Sequence, residues 1–286
     1  MYLSTDFQND YNRMTLQLLI CTIDEGINSV AQLILTPAEG ISYVISWQHS
    51  GNENNIQVPS QLIRDDISIY HLQGRGLSRN RNNALRHATA QLCLIADDDC
   101  RYTHEWLQTV IKTFEEHTAT DLATFKMKSD YCQKIYPTQP HDLQKPARKY
   151  YPTSFEIAFR REKVIGNIQF NENFGLGSAV FHCCEEEIFI HDAISRGLQC
   201  WFYPITIVEH NHPTTDTSRA TEPHILMAKG AYLYIGYRSK MLLYPFAIAW
   251  KTARMHHSSY FRSLWYLFKG LKHIIKHPKL ATQGLL

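Results

Sequence analysis

The sequence contains no Cys-x-x-Cys pair, no internal repeat and no apolar run near the length of a membrane span. Each absence removes a class of function. Without paired cysteines at that spacing, a zinc ribbon and a thioredoxin-type redox site are excluded. A spanning helix needs about 20 apolar residues, whereas the longest uncharged stretch of the C-terminal region, Met241 to Trp250, is broken by Pro245. Residues 1–13 have no apolar core, so no secretory leader is expected. The seven cysteines, at 21, 93, 100, 132, 183, 184 and 200, are odd in number. With no leader, that predicts reduced thiols and a cytoplasmic protein rather than a disulfide framework. Thirteen glycines and eleven prolines are too few for a collagen-like or linker-dominated chain.

What is present points to a folded protein. At roughly 150 residues per domain, 286 residues make one large domain, or one plus an appendage. Apolar residues are 44% and charged residues 20% of the chain, enough apolar surface for a sizeable core. Charge is unevenly placed. Ile225 to Leu286 holds 10 Lys and Arg, 11 of the 34 aromatic residues and no Asp or Glu, while the other 224 residues carry a net charge of −8. The expected division is a body over 1–224 and a basic, aromatic, helical extension over 225–286.

Along the body, strand and helix patterns alternate. Leu16–Ile23 is a continuous apolar run that suits a strand buried on both faces of a parallel sheet. A short helix is expected over 28–35, and strands over 43–47, 67–72 and 91–96. Helices are expected over 78–90, with Ala84, Leu85 and Ala88 on one face, and over 104–117. This order implies βαβ units and a mostly parallel sheet, whose ligands sit at the carboxyl ends of the strands. Three of those ends are polar: Thr22/Asp24, Gln48/Ser50 and Asp97-Asp98-Asp99. Residues 137–153, with four prolines and the bases Lys145, Arg148 and Lys149, read as a loop free to move. Phe155–Arg160 and Phe170–Gly177 follow. A helix is then expected over 188–196, stopped by Gly197, and a last strand over 200–208.

Four groups of residues could carry chemistry, and each has a plainer reading. Asp97-Asp98-Asp99 ends a buried strand, where three carboxylates repel unless they are solvated or share a cation such as Mg²⁺ or Mn²⁺. The plainer reading is a solvated turn. Arg81 and Asn82 lie in the preceding helix, and an arginine there can pair with phosphate oxygens or simply face solvent. Among Glu185-Glu186-Glu187, a partly desolvated carboxylate would serve as a general base, or the run would be the acidic first turn of a helix. His210 or His212 could complete a metal site or be one of many surface histidines, since the chain has 15. Gly74-Arg75-Gly76 mimics a dinucleotide loop, but Arg79 stands where the third glycine belongs.

In order and spacing these residues resemble family-2 glycosyltransferases of the GT-A fold. The resemblance rests on Ile20-Cys21-Thr22-Ile23-Asp24, on Arg81-Asn82 sixteen residues before Asp97, and on the segment from Gly76 to Asp99. It continues through Phe170, Phe174-Gly175 and Glu185-Glu186 with Phe189, and covers about residues 16 to 212. It implies a Rossmann-like α/β fold with a mixed, mostly parallel sheet flanked by helices. It also implies inverting transfer of a sugar from a nucleotide-diphosphate sugar, a UDP-sugar first, to an acceptor hydroxyl with Mn²⁺ or Mg²⁺. By resemblance, Thr22, Asp24, Gln48, Arg81, Asp97 and Asp98 would surround the donor, and Asp99, Asp97 and His210 the metal. Glu186 would be the base and Glu185 would orient the acceptor. Two positions depart from the family: Gln48 stands where an acidic residue meets the nucleobase, and Cys184 stands where a glycine precedes the acidic pair.

In the extension, 260–277 has helical spacing. Phe261, Leu264, Trp265, Phe268, Leu271 and Ile275 share one side, and Arg262, Lys269, Lys272 and Lys276 another. Such a helix suits an anionic membrane interface; the alternative is a helix packed on the acidic body. The membrane reading suits a glycan or lipid-linked glycan acceptor in cell-surface polysaccharide synthesis, as in many members of the family. A non-catalytic sugar-nucleotide or glycan-binding protein on the same fold is the rival function. Nucleic-acid binding through the basic extension is a third reading, opposed by the acidic body and the lack of a nucleic-acid motif.

Overall fold

The computed structural model describes residues 14–51, 56–131, 134–145, 150–212 and 219–282. Outside the described residues lie the N-terminal thirteen, Cys132, and Pro146, Arg148 and Lys149 of the proline-rich segment. Eight strands form one sheet: β1 (Leu16–Ile23), β2 (Ile41–His49), β3 (Ile67–Gln73), β4 (Leu92–Asp97), β5 (Leu122–Lys128), β6 (His141–Asp142), β7 (Ile157–Arg160) and β8 (Cys200–Glu209). Their order across the sheet is β3-β2-β1-β4-β7-β5-β8-β6. β3, β2, β1 and β4 are mutually parallel and β5 is parallel to β8, whereas β7 and β6 run antiparallel to their neighbours. The sheet is therefore mixed and mostly parallel.

The apolar run of β1 behaves as its composition requires. Leu16, Leu18 and Ile20 join a core on one face, and Leu19 and Cys21 a core on the other. The first face is covered by α1 (Ile27–Leu33) and α3 (His104–Glu116), through Val30, Leu107, Val110 and Phe114. The second is covered by α2 (Leu77–Arg86) and α5 (Glu185–Ser195), through Ala84, Leu85, Phe189 and Ala193. A short α4 (Arg161–Val164) follows β7. Each large apolar side chain buried this way contributes about 1.5–3 kcal/mol. Thr103 caps α3 by accepting from the Trp106 N–H at 3.1 Å.

Several elements run differently from the sequence expectation. The second strand extends through Gln48 and His49, because both are buried and paired with β3. The last helix of the body begins at Glu185, so the acidic run is its first turn. β5 and β6 were not foreseen. β5 gains its burial from β7 and β8 on either side rather than from a pattern of its own.

Beyond β8 lie α6 (Pro223–Gly236), α7 (Tyr244–His256) and α8 (Tyr260–Lys276). Phe174, Phe181, Cys184 and Ile188 of the body share a core with Met227, Ala231, Leu271 and Ile274 of α6 and α8. α6 and α8 cross in close contact at two glycines. A Cβ on Gly230 would lie 2.0 Å from the Leu267 carbonyl oxygen, and one on Gly270 would lie 1.9 Å from that of Met227.

Candidate active site

The chain order places β2 and β3 on one side of β1 and β4 on the other. A crevice opens where such a sheet reverses, at the carboxyl ends of β1 and β4. A cleft of about 480 Å³ lies there. Of the sequence-predicted residues, Thr22, Gln48, Arg81, Asp97, Asp98, Asp99, Glu185, Glu186 and His210 line it. Asp24 does not. Its carboxylate accepts from the Ser50 N–H at 2.8 Å and from the Ser50 hydroxyl at 2.6 Å, and these bonds hold its pKa below the ordinary value.

Arg81 is the hub. It sits one turn into α2, only 2% exposed, over the ring of Phe170. Nη2 donates to Asp97 Oδ1 at 3.1 Å and to the Ser154 hydroxyl at 2.7 Å. Nη1 donates to Glu185 Oε1 at 3.1 Å and to Glu186 Oε1 at 3.3 Å. One guanidinium thus ties the end of β4 to the start of α5. Burial alone would lower its pKa; the charges of Asp97, Glu186 and Glu185 more than reverse that. The surface-facing reading of this arginine is ruled out by its burial.

The aspartate triplet divides three ways. Asp97 faces Arg81, and its Oδ2 also accepts from Ser154 at 3.2 Å. Asp98 accepts from the Thr22 hydroxyl at 2.5 Å, and burial raises its pKa to about 6. Asp99 lies 3.1 Å from His210 Nε2. Burial works to raise the Asp99 pKa, but the bond and charge of His210 hold it below the ordinary value. The His210 ring stacks on Phe155, and its Nδ1 is buried without a partner. Gly26 makes room for the Thr22–Asp98 contact, since a Cβ there would fall 2.4 Å from Thr22 Oγ1.

On the opposite wall, Glu185 is buried, with Oε2 unpartnered. Burial, and then the charge of Glu186, push its pKa well above the usual carboxylate range. Glu186 is the more open of the two, at 17% side-chain exposure against 5%. Cys184, the N-cap of α5, adopts φ +74°, the left-handed region that favours glycine. The backbone therefore keeps a glycine-like conformation although the residue is not glycine.

The family model for glycosyl transferase family 2 matches residues 20–181, more than half of the chain. The chain belongs to this family. Family 2 members are glycosyltransferases, and this chain is one. A search of curated proteins gives no match. Among solved structures, S. aureus TarS 1–349 superposes with a TM-score of 0.57 at 14% identity, covering 92% of each chain. The same protein in complex with UDP-GlcNAc gives 0.59 at 14% identity and the same coverage. A longer TarS structure gives 0.54 at 16% identity, covering 85% of this chain and 44% of that one. At these identities the likeness shows the fold, which is the GT-A arrangement.

Several residues of this family-2 cleft carried no signal of their own in the sequence. Asn80 donates to the Thr22 carbonyl at 2.9 Å; together with Asn82, which the sequence did single out beside Arg81 and which donates to the Phe170 carbonyl at 2.9 Å, it fixes α2 against both walls. Ser154 bridges Arg81 and Asp97 from a strap over 151–155. Beneath that strap Glu156 is fully buried. It accepts from Lys134 Nζ at 2.5 Å, from the Thr153 N–H at 2.8 Å, and from the Tyr136 hydroxyl. Among the described residues, no group of three or more His, Cys, Asp or Glu side chains is gathered as a preformed metal cage.

Proposed function

We propose that the chain transfers a sugar, with inversion, from a nucleotide-diphosphate sugar to an acceptor hydroxyl, in the assembly of a cell-surface polysaccharide. The observation that carries this reading is the convergence of Asp97 and the Glu185–Glu186 pair on Arg81 from opposite walls of one cleft. The donor would lie at the carboxyl ends of β1 and β4, with Thr22, Gln48, Asp97 and Asp98 around its nucleotide end. The TarS complexes with UDP and UDP-GlcNAc support a UDP-sugar as the first donor to test.

Glu186 is the base in this reading. It is more open than Glu185, lines the cleft and lies 3.3 Å from Arg81 Nη1. It would take the proton of the acceptor hydroxyl as that oxygen attacks the anomeric carbon from the face opposite the leaving diphosphate. Glu185, buried behind it, would orient the acceptor. Oxygen-binding divalent cations are commonly held by one or two carboxylates together with substrate phosphates and waters. Asp99, whose Oδ2 lies 3.1 Å from His210 Nε2 at the cleft wall, fits such a partial set, and Asp97 borders it. Mn²⁺ or Mg²⁺ bound there would offset the charge that builds on the departing diphosphate. The acceptor would be a glycan or a lipid-linked glycan; with a lipid-linked acceptor the protein, cytoplasmic in this reading, would work peripherally on the inner face of the cytoplasmic membrane.

The test is thermal stability against a panel of nucleoside diphosphates, with and without Mn²⁺. Ligand at about 100 times its Kd stabilises the fold by about 2.7 kcal/mol. A shift for one nucleotide that needs Mn²⁺ and is lost in Asp99→Asn supports the reading. No shift with any nucleotide overturns it in favour of a glycan-binding protein.

A further inference from the structure

The three C-terminal helices leave a surface that their own packing does not use. α8 buries Ser263, Leu267, Gly270, Leu271 and Ile274 against α6 and the body. The side chains that share one side in the sequence therefore divide. Leu271 is buried, Leu264 and Phe268 are partly covered, and Phe261, Trp265 and Ile275 stay exposed. Phe261 and Trp265 are 80% and 57% exposed, and Lys269, Lys272 and Lys276 continue the same outer face at helical spacing.

α7 repeats the arrangement. It buries Pro245, Ala249 and Thr252, and turns Phe246, Trp250 and Arg254 outward. Leu242 and Leu243, just before it, are exposed as well. Phe246 meets Phe268 edge-on at 5.6 Å, so α7 packs against α8. Cations sit on the exposed indoles, Arg254 over Trp250 at 5.4 Å and Lys269 over Trp265 at 5.1 Å.

We infer that the outer faces of α7 and α8, with Leu242 and Leu243, form a docking surface for an anionic phospholipid bilayer. The inference rests on the membrane placement proposed above and specifies the surface responsible. Charge selects the occupant: residues 225–286 carry ten Lys and Arg and no carboxylate side chain. Face-to-face pairing of two copies would set like charges together. Exposed Trp and Phe ringed by Lys and Arg match the boundary between headgroups and acyl chains, where a helix lies in the plane. No described helix is long and apolar enough to cross a membrane, so the surface rests on the bilayer.

The test is co-sedimentation of the full chain with phosphatidylcholine vesicles, with and without phosphatidylglycerol. Binding should need the anionic lipid and weaken in salt. Phe246→Ala/Trp250→Ala/Trp265→Ala should lower the partition coefficient about ten-fold. Lys269→Gln/Lys272→Gln/Lys276→Gln should lower it about a hundred-fold, at about five-fold for each base lost near the surface. All six positions are exposed, and nucleotide-induced stabilisation, measured without vesicles, should be unchanged in both variants. Binding that persists in both variants overturns this surface while leaving the membrane placement standing. No binding by the unaltered chain overturns both and leaves the donor reading intact. A concentration-dependent dimer abolished by the aromatic variant, without vesicle binding, would make the face a subunit interface and overturn the inference.

Discussion

Arg81 Nη1 lies 3.1 Å from Glu185 Oε1, and both side chains are almost wholly buried. Removing Arg81 leaves Glu185 buried without its partner, whereas removing Glu185 leaves Arg81 its bonds to Asp97, Glu186 and Ser154. Arg81→Met should cost about 3–5 kcal/mol of unfolding free energy. Arg81→Met/Glu185→Met should cost less than the sum of the two single changes, because the double variant lacks the carboxylate that Arg81→Met alone leaves buried. Urea denaturation of the four proteins measures the coupling, and strict additivity would show that the contact contributes nothing.

Glu186 and Glu185 should separate in kinetics. Glu186→Gln should leave nucleotide binding intact and lower kcat about 10²- to 10⁴-fold, the usual contribution of a positioned base. Glu185 has its carboxyl pushed toward the neutral form by burial, so Glu185→Gln should perturb kcat less than Glu186→Gln and chiefly raise the KM for acceptor. If Glu185→Gln is the more damaging to kcat, the base is Glu185.

Chelation gives a third outcome. Asp99 and His210 meet at 3.1 Å, and among the described residues no group of three or more His, Cys, Asp or Glu side chains forms a cage there. A cation held there would depend on the donor diphosphate to complete its ligands. EDTA should therefore abolish transfer without lowering the melting temperature of the donor-free protein. Asp99→Asn should weaken donor binding in Mn²⁺ and have little effect in EDTA. Equal Mn²⁺ dependence in variant and parent would remove Asp99 from the metal site.

The sequence made much of this legible where one segment carries a whole feature. The β1 run revealed a doubly buried strand, and Asp97–Asp99 at the end of β4 marked the cleft. Features built from several segments were hidden. Lys134 and Glu156, both buried, form an ion pair that takes its meaning from the strap above it. Ser154 acquires a role only when folding lays it between Arg81 and Asp97. The outer face of α8 was misleading for the same reason. Periodicity identifies an amphipathic helix, but which residues stay exposed depends on α6 and α7 packed beside it.

Asp24 and Ser50 yield a pH-dependent prediction. Two bonds from Ser50 hold the Asp24 pKa below its ordinary value of 3.8. A carboxyl lowered by folding contributes stability above its unfolded pKa and loses it as pH falls through the folded one. Ser50→Ala removes the hydroxyl donor and keeps the backbone donor. At neutral pH it should cost about 0.5–1 kcal/mol, near the low end because the site is partly exposed. The gap between variant and parent should close near the acid end of a denaturation series. A gap constant with pH would assign the loss to something other than the carboxylate.

Gly26 tests the donor end of the cleft with a single methyl group. Its ideal Cβ would lie 2.4 Å from Thr22 Oγ1 and 2.5 Å from Asp98 Oδ2, closer than any real contact. Gly26→Ala must push one of those groups aside. Gly26 itself has helical backbone angles, φ −57° and ψ −20°, so alanine brings no conformational penalty there. The cost should therefore fall on the Thr22–Asp98 hydrogen bond and on the shape of the cleft floor. Nucleotide affinity should fall about ten-fold or more, equivalent to at least about 1.4 kcal/mol, with a smaller change in melting temperature. Thr22→Ser keeps the hydroxyl and drops a methyl, so affinity should stay near that of the parent. If Gly26→Ala binds nucleotide as tightly as the parent, the Thr22–Asp98 pair lies outside the donor site. The nucleotide would then rest on the Arg81 side of the cleft alone.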